Sequence, residues 1–230
     1  MSHSSAYTRP FPIRAVIFDM DGTLFDTEKL RLQLFKQASK TLRGFELSDE
    51  YLLACLGLNE DSAAQLAQQY YAQDIGFHEI RQYVHVLEQQ YVAQNGVPLK
   101  AGVLELLQAF KAREIKIALA TSNRRCTVKD YLQRSGLDQF FEVVVCGDEV
   151  QNGKPHPEIF LKVVQKLDVS AQHCFMFEDS ENGLHSAYQA GGVTVLIPDI
   201  KPATAQMRSQ ADYIYASLAD VLADLDCLMH

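Results

Sequence analysis

Residues 13–23 read IRAVIFDMDGT, an apolar run that ends abruptly in two aspartates and a glycine. Residues 13–18 are short and β-rich, the length and composition of a buried strand. In an extended chain, residues two apart point the same way, so Asp19 and Asp21 can address one small volume. Gly22 then permits a sharp turn. The ordinary alternative is a plain strand exit through an Asp-Gly turn.

Working outward, similar runs occupy residues 115–120 (IKIALA), 143–146, 174–177 and 193–197, with a weaker one at 213–215. Helical spacing fills the gaps. In 101–113, Val103, Leu106, Leu107 and Phe110 follow the i, i+3, i+4, i+7 rule. Residues 159–167 and 184–190 also read as helices, the first opened by Pro157 and the second closed by Gly191-Gly192. Alternating strands and helices imply right-handed crossovers and a parallel, doubly wound α/β sheet of Rossmann-like type. The late strands are continuously apolar, which suits a sheet covered on both faces.

Residues 28–95 break the alternation. They hold no convincing strand, only helical periodicity: Ala63, Leu66, Ala67 and Tyr70 mark one face, and Ile80, Tyr83, Val84, Leu87 and Tyr91 another. Arg43-Gly44, Gly57-Leu58-Asn59 and Asp74-Ile75-Gly76 punctuate the stretch. The expectation is an all-helical domain, 28–95, inserted between the first and second strands of a core built from 1–27 and 96–230. Such an insertion sits above the carboxyl edge of the sheet, where open α/β folds bind ligands.

Composition narrows the function classes. With 21 basic and 29 acidic side chains the 230-residue chain carries a net charge of −8, and no basic tract marks it for nucleic acid. No apolar run approaches the ~18 residues of a membrane span. Residues 1–14 are polar, with Pro10 and Pro12 and no apolar core for a secretory signal, so a cytoplasmic location is expected. The five cysteines are scattered and form no C-x-x-C pair, as expected of reduced thiols. His78 and His85 are too far apart for a chelating i, i+4 pair.

Three further features fall just after strands. Thr121-Ser122-Asn123 ends an apolar run and precedes a helix, a place where hydroxyls and amides bind anions; simple N-capping by Ser122 or Asn123 is the alternative. Asn152-Gly153-Lys154-Pro155-His156-Pro157 holds a lysine in a stiff loop, which a solvated surface lysine would also fit. Glu178-Asp179 closes another strand, either as a metal site or with Asp179 or Ser180 capping the next helix.

Taken in order, these features resemble the haloacid dehalogenase-like hydrolase superfamily: D-x-D-G-T, a strand-end Ser or Thr, a lysine and a strand-end acidic pair. The strings D-M-D-G-T-L-F-D-T, G-K-P-H-P and F-E-D-S-x-N-G are similar to those of its β-phosphoglucomutase-like subgroup, over residues 13 to about 220. The resemblance implies a Mg2+-dependent phosphatase acting on a small phosphorylated metabolite, a sugar phosphate foremost, through an aspartyl-phosphate. It makes Asp19 the nucleophile and Asp21 the acid and base, and it assigns phosphate oxygens to Thr121, Ser122 and Lys154. It assigns the metal to Asp19, Asp179 and the backbone carbonyl of Asp21, with Glu178 alongside. Residues 28–95 become a cap over the site.

Where the mutases of the subgroup carry a cap histidine and a cap arginine, this chain has Arg31 and Glu60, which favours hydrolysis over β-phosphoglucomutase-type transfer. Arg31, Lys29 and Lys100 are candidates to meet an anionic substrate. A non-catalytic binding protein of this fold would be expected to have lost one of the key side chains, and dehalogenating relatives lack the second aspartate, here Asp21. The remaining expectations are no nucleic-acid or membrane partner and a monomer or weak homodimer.

Overall fold

A computed structural model of the protein describes residues 12–56, 58 and 60–229. The polar stretch 1–11 and two members of the 57–59 punctuation, Gly57 and Asn59, lie outside the described residues.

The strands are β1 (Ala15–Phe18), β2 (Lys116–Ala120), β3 (Val143–Val145), β4 (Cys174–Glu178), β5 (Val193–Leu196) and β6 (Tyr213–Ile214). They form one sheet of order β3-β2-β1-β4-β5-β6, parallel at every pairing among the described residues. The central β1 is buried along its whole length, as a strand flanked on both sides and covered on both faces must be. Val16 and Phe18 face one layer of helices, Ala15 and Ile17 the other. On the first face Phe18 stacks on Phe177 with centroids 4.5 Å apart, and Phe110 meets Phe177 edge-on.

The helices between strands are α1 (Thr27–Arg43), α2 (Asp49–Cys55), α3 (Glu60–Tyr71), α4 (Phe77–Asn95), α5 (Val103–Ala112), α6 (Arg125–Ser135), α7 (Glu158–Leu167), α8 (Glu181–Gln189) and α9 (Ala205–Gln210); α10 (Leu218–Ala223) and α11 (Leu225–Met229) follow β6. The predicted apolar face of α5 is buried as read, at Val103, Leu106, Leu107 and Phe110. No helix among the described residues is long and apolar enough to cross a membrane.

Between β1 and β2, α1 to α4 pack around their own core, in which Leu30, Leu34, Tyr51, Ala63, Phe77, Ile80 and Val84 are buried. Tyr51 donates its hydroxyl to the Ala63 carbonyl at 2.9 Å, and Ser48 caps α2 by accepting from the Tyr51 amide. The outgoing and returning chains cross side by side: Asp26 N donates to Pro98 O and Lys100 N to Leu24 O, both at 2.9 Å.

Two predicted faces differ from what is found. On α4 the buried residues are Phe77, Ile80, Val84, Glu88 and Val92, while Tyr83 and Leu87 are half-buried and Tyr91 is exposed. The inward stripe is rotated toward Glu88, which accepts from Arg31 Nε of α1 at 2.9 Å and from the Tyr131 hydroxyl at 3.0 Å. On α3, Ala63 and Ala67 are buried but Leu66 is half-buried and Tyr70 exposed, its ring tilted against Tyr51 at 5.5 Å.

Candidate active site

Parallel register sets the site. Phe18 lies opposite both Leu119 and Phe177, and Ala120 opposite Val145, so β1, β2 and β4 deliver their next residues to one edge. Asp19 N donates to Phe177 O at 3.0 Å and Thr121 N to Val145 O at 3.1 Å. The sheet hydrogen bonding thus continues to the residues that carry chemistry.

Lys154 ties the edge together. Its Nζ donates to Asp19 Oδ1 at 2.5 Å, to Glu178 Oε1 at 2.5 Å and to the Ala120 carbonyl at 3.0 Å. The lysine side chain is only 6% exposed, which overrides the solvated-surface reading. Asp179 joins the same volume: carboxylate oxygens of Asp19, Glu178 and Asp179 lie within 4.8 Å of one another. Ser180 does cap α8, accepting from Gly183 N, and also donates to Glu178 Oε2 at 3.1 Å. Capping and carboxylate clustering therefore coexist.

Two glycines make room for this packing. Gly22 has φ +79°, and a Cβ there would lie 2.2 Å from Asp179 Oδ2; on Gly183 it would lie 2.0 Å from Glu178 Oε1. The sequence marks Gly22 as a turn residue and gives no sign of what Gly183 does.

The cluster holds more negative charge than one lysine balances. Burial, then the neighbouring Glu178 and Asp21 charges, pushes the Asp19 carboxyl up to about 8 against the pull of Lys154. Burial also raises Asp179 well above its ordinary value, helped by Asp19 and Glu178. Burial works against the charge of Lys154, yet Asp19 and Glu178 beside it raise its pKa further. Two like charges about 4 Å apart repel by about 4 kcal/mol at an effective dielectric of 20. An all-oxygen donor set with surplus buried charge fits a hard divalent cation such as Mg2+.

Asp21 is held separately. It accepts from the Thr27 hydroxyl and the Asn123 side-chain amide, and Arg31 Nη1 stands 3.4 Å from its Oδ1. Thr121 is buried, and its hydroxyl accepts from Asn123 N at 3.1 Å; Ser122 is exposed. Neither Ser122 nor Asn123 caps α6 by its side chain. The first amide of that helix, Arg125 N, donates to Asp148 instead, at 3.1 Å.

The three basic residues proposed for an anionic substrate are engaged by the protein's own acids. Lys100 pairs with Asp26 and Asp199, Lys29 with the same two, and Arg31 with Asp21 and Glu88. Glu60 pairs with His78 and Arg81. A cavity of about 790 Å3 lies between α1, α4 and α6, lined by Arg31, His85, Glu88, Asn123 and Tyr131 among others. Two of these, Arg31 and Asn123, also touch Asp21.

Comparison with known proteins identifies the family. Residues 16–197 match the family model for haloacid dehalogenase-like hydrolases. A phosphorylated carbohydrates phosphatase of Thermotoga maritima is 34% identical over 179 residues, 78% of this chain and 82% of that protein. A provisionally named β-phosphoglucomutase structure from Thermotoga maritima superimposes with a TM-score of 0.79 at 28% identity, covering 94% of this chain and 100% of that one. CbbY of Rhodobacter sphaeroides, solved with phosphate, gives a TM-score of 0.72 at 26% identity over 93% of this chain and 99% of its own. The chain therefore belongs to the haloacid dehalogenase-like hydrolase family, as a phosphatase similar in fold to its β-phosphoglucomutase-like members.

Proposed function

We propose that the protein hydrolyses a small phosphorylated carbohydrate with Mg2+, through a phosphoryl group carried on Asp19, with residues 28–95 acting as the cap. The observation that carries this is the convergence of Asp19 and Glu178 on Lys154 at the carboxyl edge of the sheet, with the Asp179 carboxylate beside them.

In the first half-reaction an Asp19 carboxylate oxygen attacks phosphorus, the bond to the leaving oxygen breaks, and Asp21 gives that oxygen a proton. In the second, water attacks the same phosphorus, Asp21 takes the water's proton, and the Asp19–phosphorus bond breaks to release phosphate. A carboxylate nucleophile splits one difficult displacement into two easier ones. Lys154 bridges Asp19 and the transferring group, while Thr121 and the Ser122 amide hold phosphoryl oxygens. When bound by Asp19, Asp179 and the Asp21 backbone carbonyl, with Glu178 beside it, Mg2+ supplies positive charge to the transferring oxygens.

Hydrolysis is favoured over mutase chemistry by Glu60 and Arg31. Glu60 is committed to Arg81 and His78, and Arg31 to Asp21 and Glu88. Neither is a free cation for a second phosphate. The test is a panel of phosphorylated metabolites assayed for phosphate release with Mg2+ and with EDTA. Release that EDTA and Asp19→Asn both abolish supports the reading. Conversion of β-glucose 1-phosphate to the 6-phosphate would favour the mutase, and substantial activity in Asp19→Asn defeats the nucleophile assignment.

A further inference from the structure

A second group of carboxylates gathers beside the first. β4 and β5 are neighbours in register, with Glu178 opposite Leu196, and Ile197 N donates to Glu178 O at 2.8 Å. The residues that follow these two strands therefore emerge along one stretch of the sheet edge. Asp179 follows β4 directly, and Asp199 lies just past the end of β5. Glu28 joins them from the first turn of α1. Carboxylate oxygens of Glu28, Asp179 and Asp199 lie within 4.8 Å of one another.

Clustered acids alone do not make a site, and Asp199 adds an independent sign. Its side chain is only 3% exposed. Lys100 donates to its Oδ1, and Lys29 stands 3.5 Å from the same oxygen. Oδ2 is buried with no hydrogen-bond partner among the described residues. A buried carboxylate oxygen without a donor is costly and rare in folded proteins. Oδ2 is thus the oxygen that Asp199 has left to offer.

Charge points the same way. Lys29 and Lys100 are each shared between Asp26 and Asp199, and among the described residues neither pairs with Glu28 or Asp179. Two like charges about 4 Å apart repel by about 4 kcal/mol at an effective dielectric of 20. A proton on Glu28 would relieve part of this repulsion, whereas a dication meets all three carboxylates at once. A donor set of carboxylate oxygens alone suits a hard divalent ion such as Mg2+, Mn2+ or Ca2+.

We infer that Glu28, Asp179 and Asp199 form a second divalent-cation site, with Asp179 bridging it to the ion at Asp19. The inference rests on the proposed reading of Asp179 as a ligand of the first ion. The second site is the weaker of the two. Its ion is repelled by the first, shares one carboxylate with it, and meets an Asp199 whose other oxygen already faces two lysines.

The test is Mn2+ binding to the EDTA-stripped full chain, counted by electron paramagnetic resonance of the free ion, with an anomalous-scattering map of Mn2+-soaked crystals. The proteins are wild type, Glu28→Gln, Asp199→Asn and Asp19→Asn. Wild type is expected to take two Mn2+, the second at least about tenfold more weakly than the first. Glu28→Gln and Asp199→Asn should each weaken the second by at least about tenfold and leave the first within about threefold. Asp19→Asn should weaken the first. The map should show one manganese among Glu28, Asp179 and Asp199 besides the one at Asp19. A single Mn2+ in wild type, lost in Asp19→Asn and unchanged in the other two variants, overturns the inference and leaves the proposed function standing. Two Mn2+ bound alike by wild type, Glu28→Gln and Asp199→Asn overturn it as well. A wild type that binds no Mn2+ sinks the metal part of the proposed function and this inference together. Should Asp199→Asn fail to fold, Glu28→Gln and the wild-type map decide the matter.

Discussion

Asp19 makes the metal-free protein sensitive to pH in a direction that can be worked out. Asp19 is 8% exposed, with its carboxyl beside Lys154 and Glu178, and burial lifts it from an ordinary 3.8 to about 8. Between those values the folded protein keeps a proton that the unfolded chain gives up. Stability without metal therefore falls as pH rises through this window. Each pH unit inside it is worth at most about 1.4 kcal/mol, so moving from about pH 5 to about pH 7.5 removes up to roughly 3 kcal/mol. For a chain of this size 1 kcal/mol shifts Tm by about 2–4 °C, which makes the ceiling roughly 6–12 °C. Thermal melts in EDTA across this range would compare wild type with Asp19→Asn, whose amide does not titrate. The wild-type Tm should fall relative to the variant as pH rises. Mg2+ should raise the wild-type Tm more at the higher pH, where its ligands are deprotonated. Parallel curves for the two proteins in EDTA would refute the reasoning.

Other substitutions separate the metal, the phosphoryl site and the cap. Gly22→Ala places a Cβ 2.2 Å from Asp179 Oδ2 at φ +79°; it should destabilise by about 1–2 kcal/mol and weaken Mg2+ binding at least about tenfold in calorimetric titration, and unaltered Mg2+ affinity would exclude Asp179 as a ligand. Lys154→Met removes the cation shared by Asp19 and Glu178 and should reduce kcat by at least about 100-fold; near-normal turnover would show that the lysine does not serve the transferring group. Tyr51→Phe deletes a buried hydrogen bond to the Ala63 carbonyl and should lower stability by about 1–2 kcal/mol in denaturant melts while kcat stays the same. A matching fall in kcat would tie the cap core to the chemistry.

Strand ends were the most legible part of the molecule. A short apolar run that stops at an acid or a hydroxyl reports both the strand and the edge where its polar residue emerges. Asp19, Thr121, Glu178 and Asp179 stand out in the sequence for this reason. The inserted helices were legible as helices but less so in their orientation. Periodicity scores apolar residues, so a buried carboxylate such as Glu88 is invisible to it, and it points the α4 stripe toward Tyr83, Leu87 and Tyr91 rather than Glu88 and Val92. Contacts between distant segments left no local trace. Nothing near Asn123 shows that its amide reaches Asp21, nor that Asp148 satisfies the start of α6. The pairing of Lys29 and Lys100 with Asp199 likewise appears only when the end of β5 is brought beside α1. Gly183 hid its purpose for a steric reason, since the crowding that requires it comes from Glu178 across a turn.

A crystal structure with Mg2+ and beryllium fluoride, a phosphoryl mimic, tests the account most directly. The account predicts fluoride-bearing beryllium on one Asp19 oxygen, with Mg2+ bound at about 2.0–2.1 Å by the other Asp19 oxygen and by Asp179. A cation held away from Asp19 and Asp179, or a mimic seated away from Asp19, would contradict it.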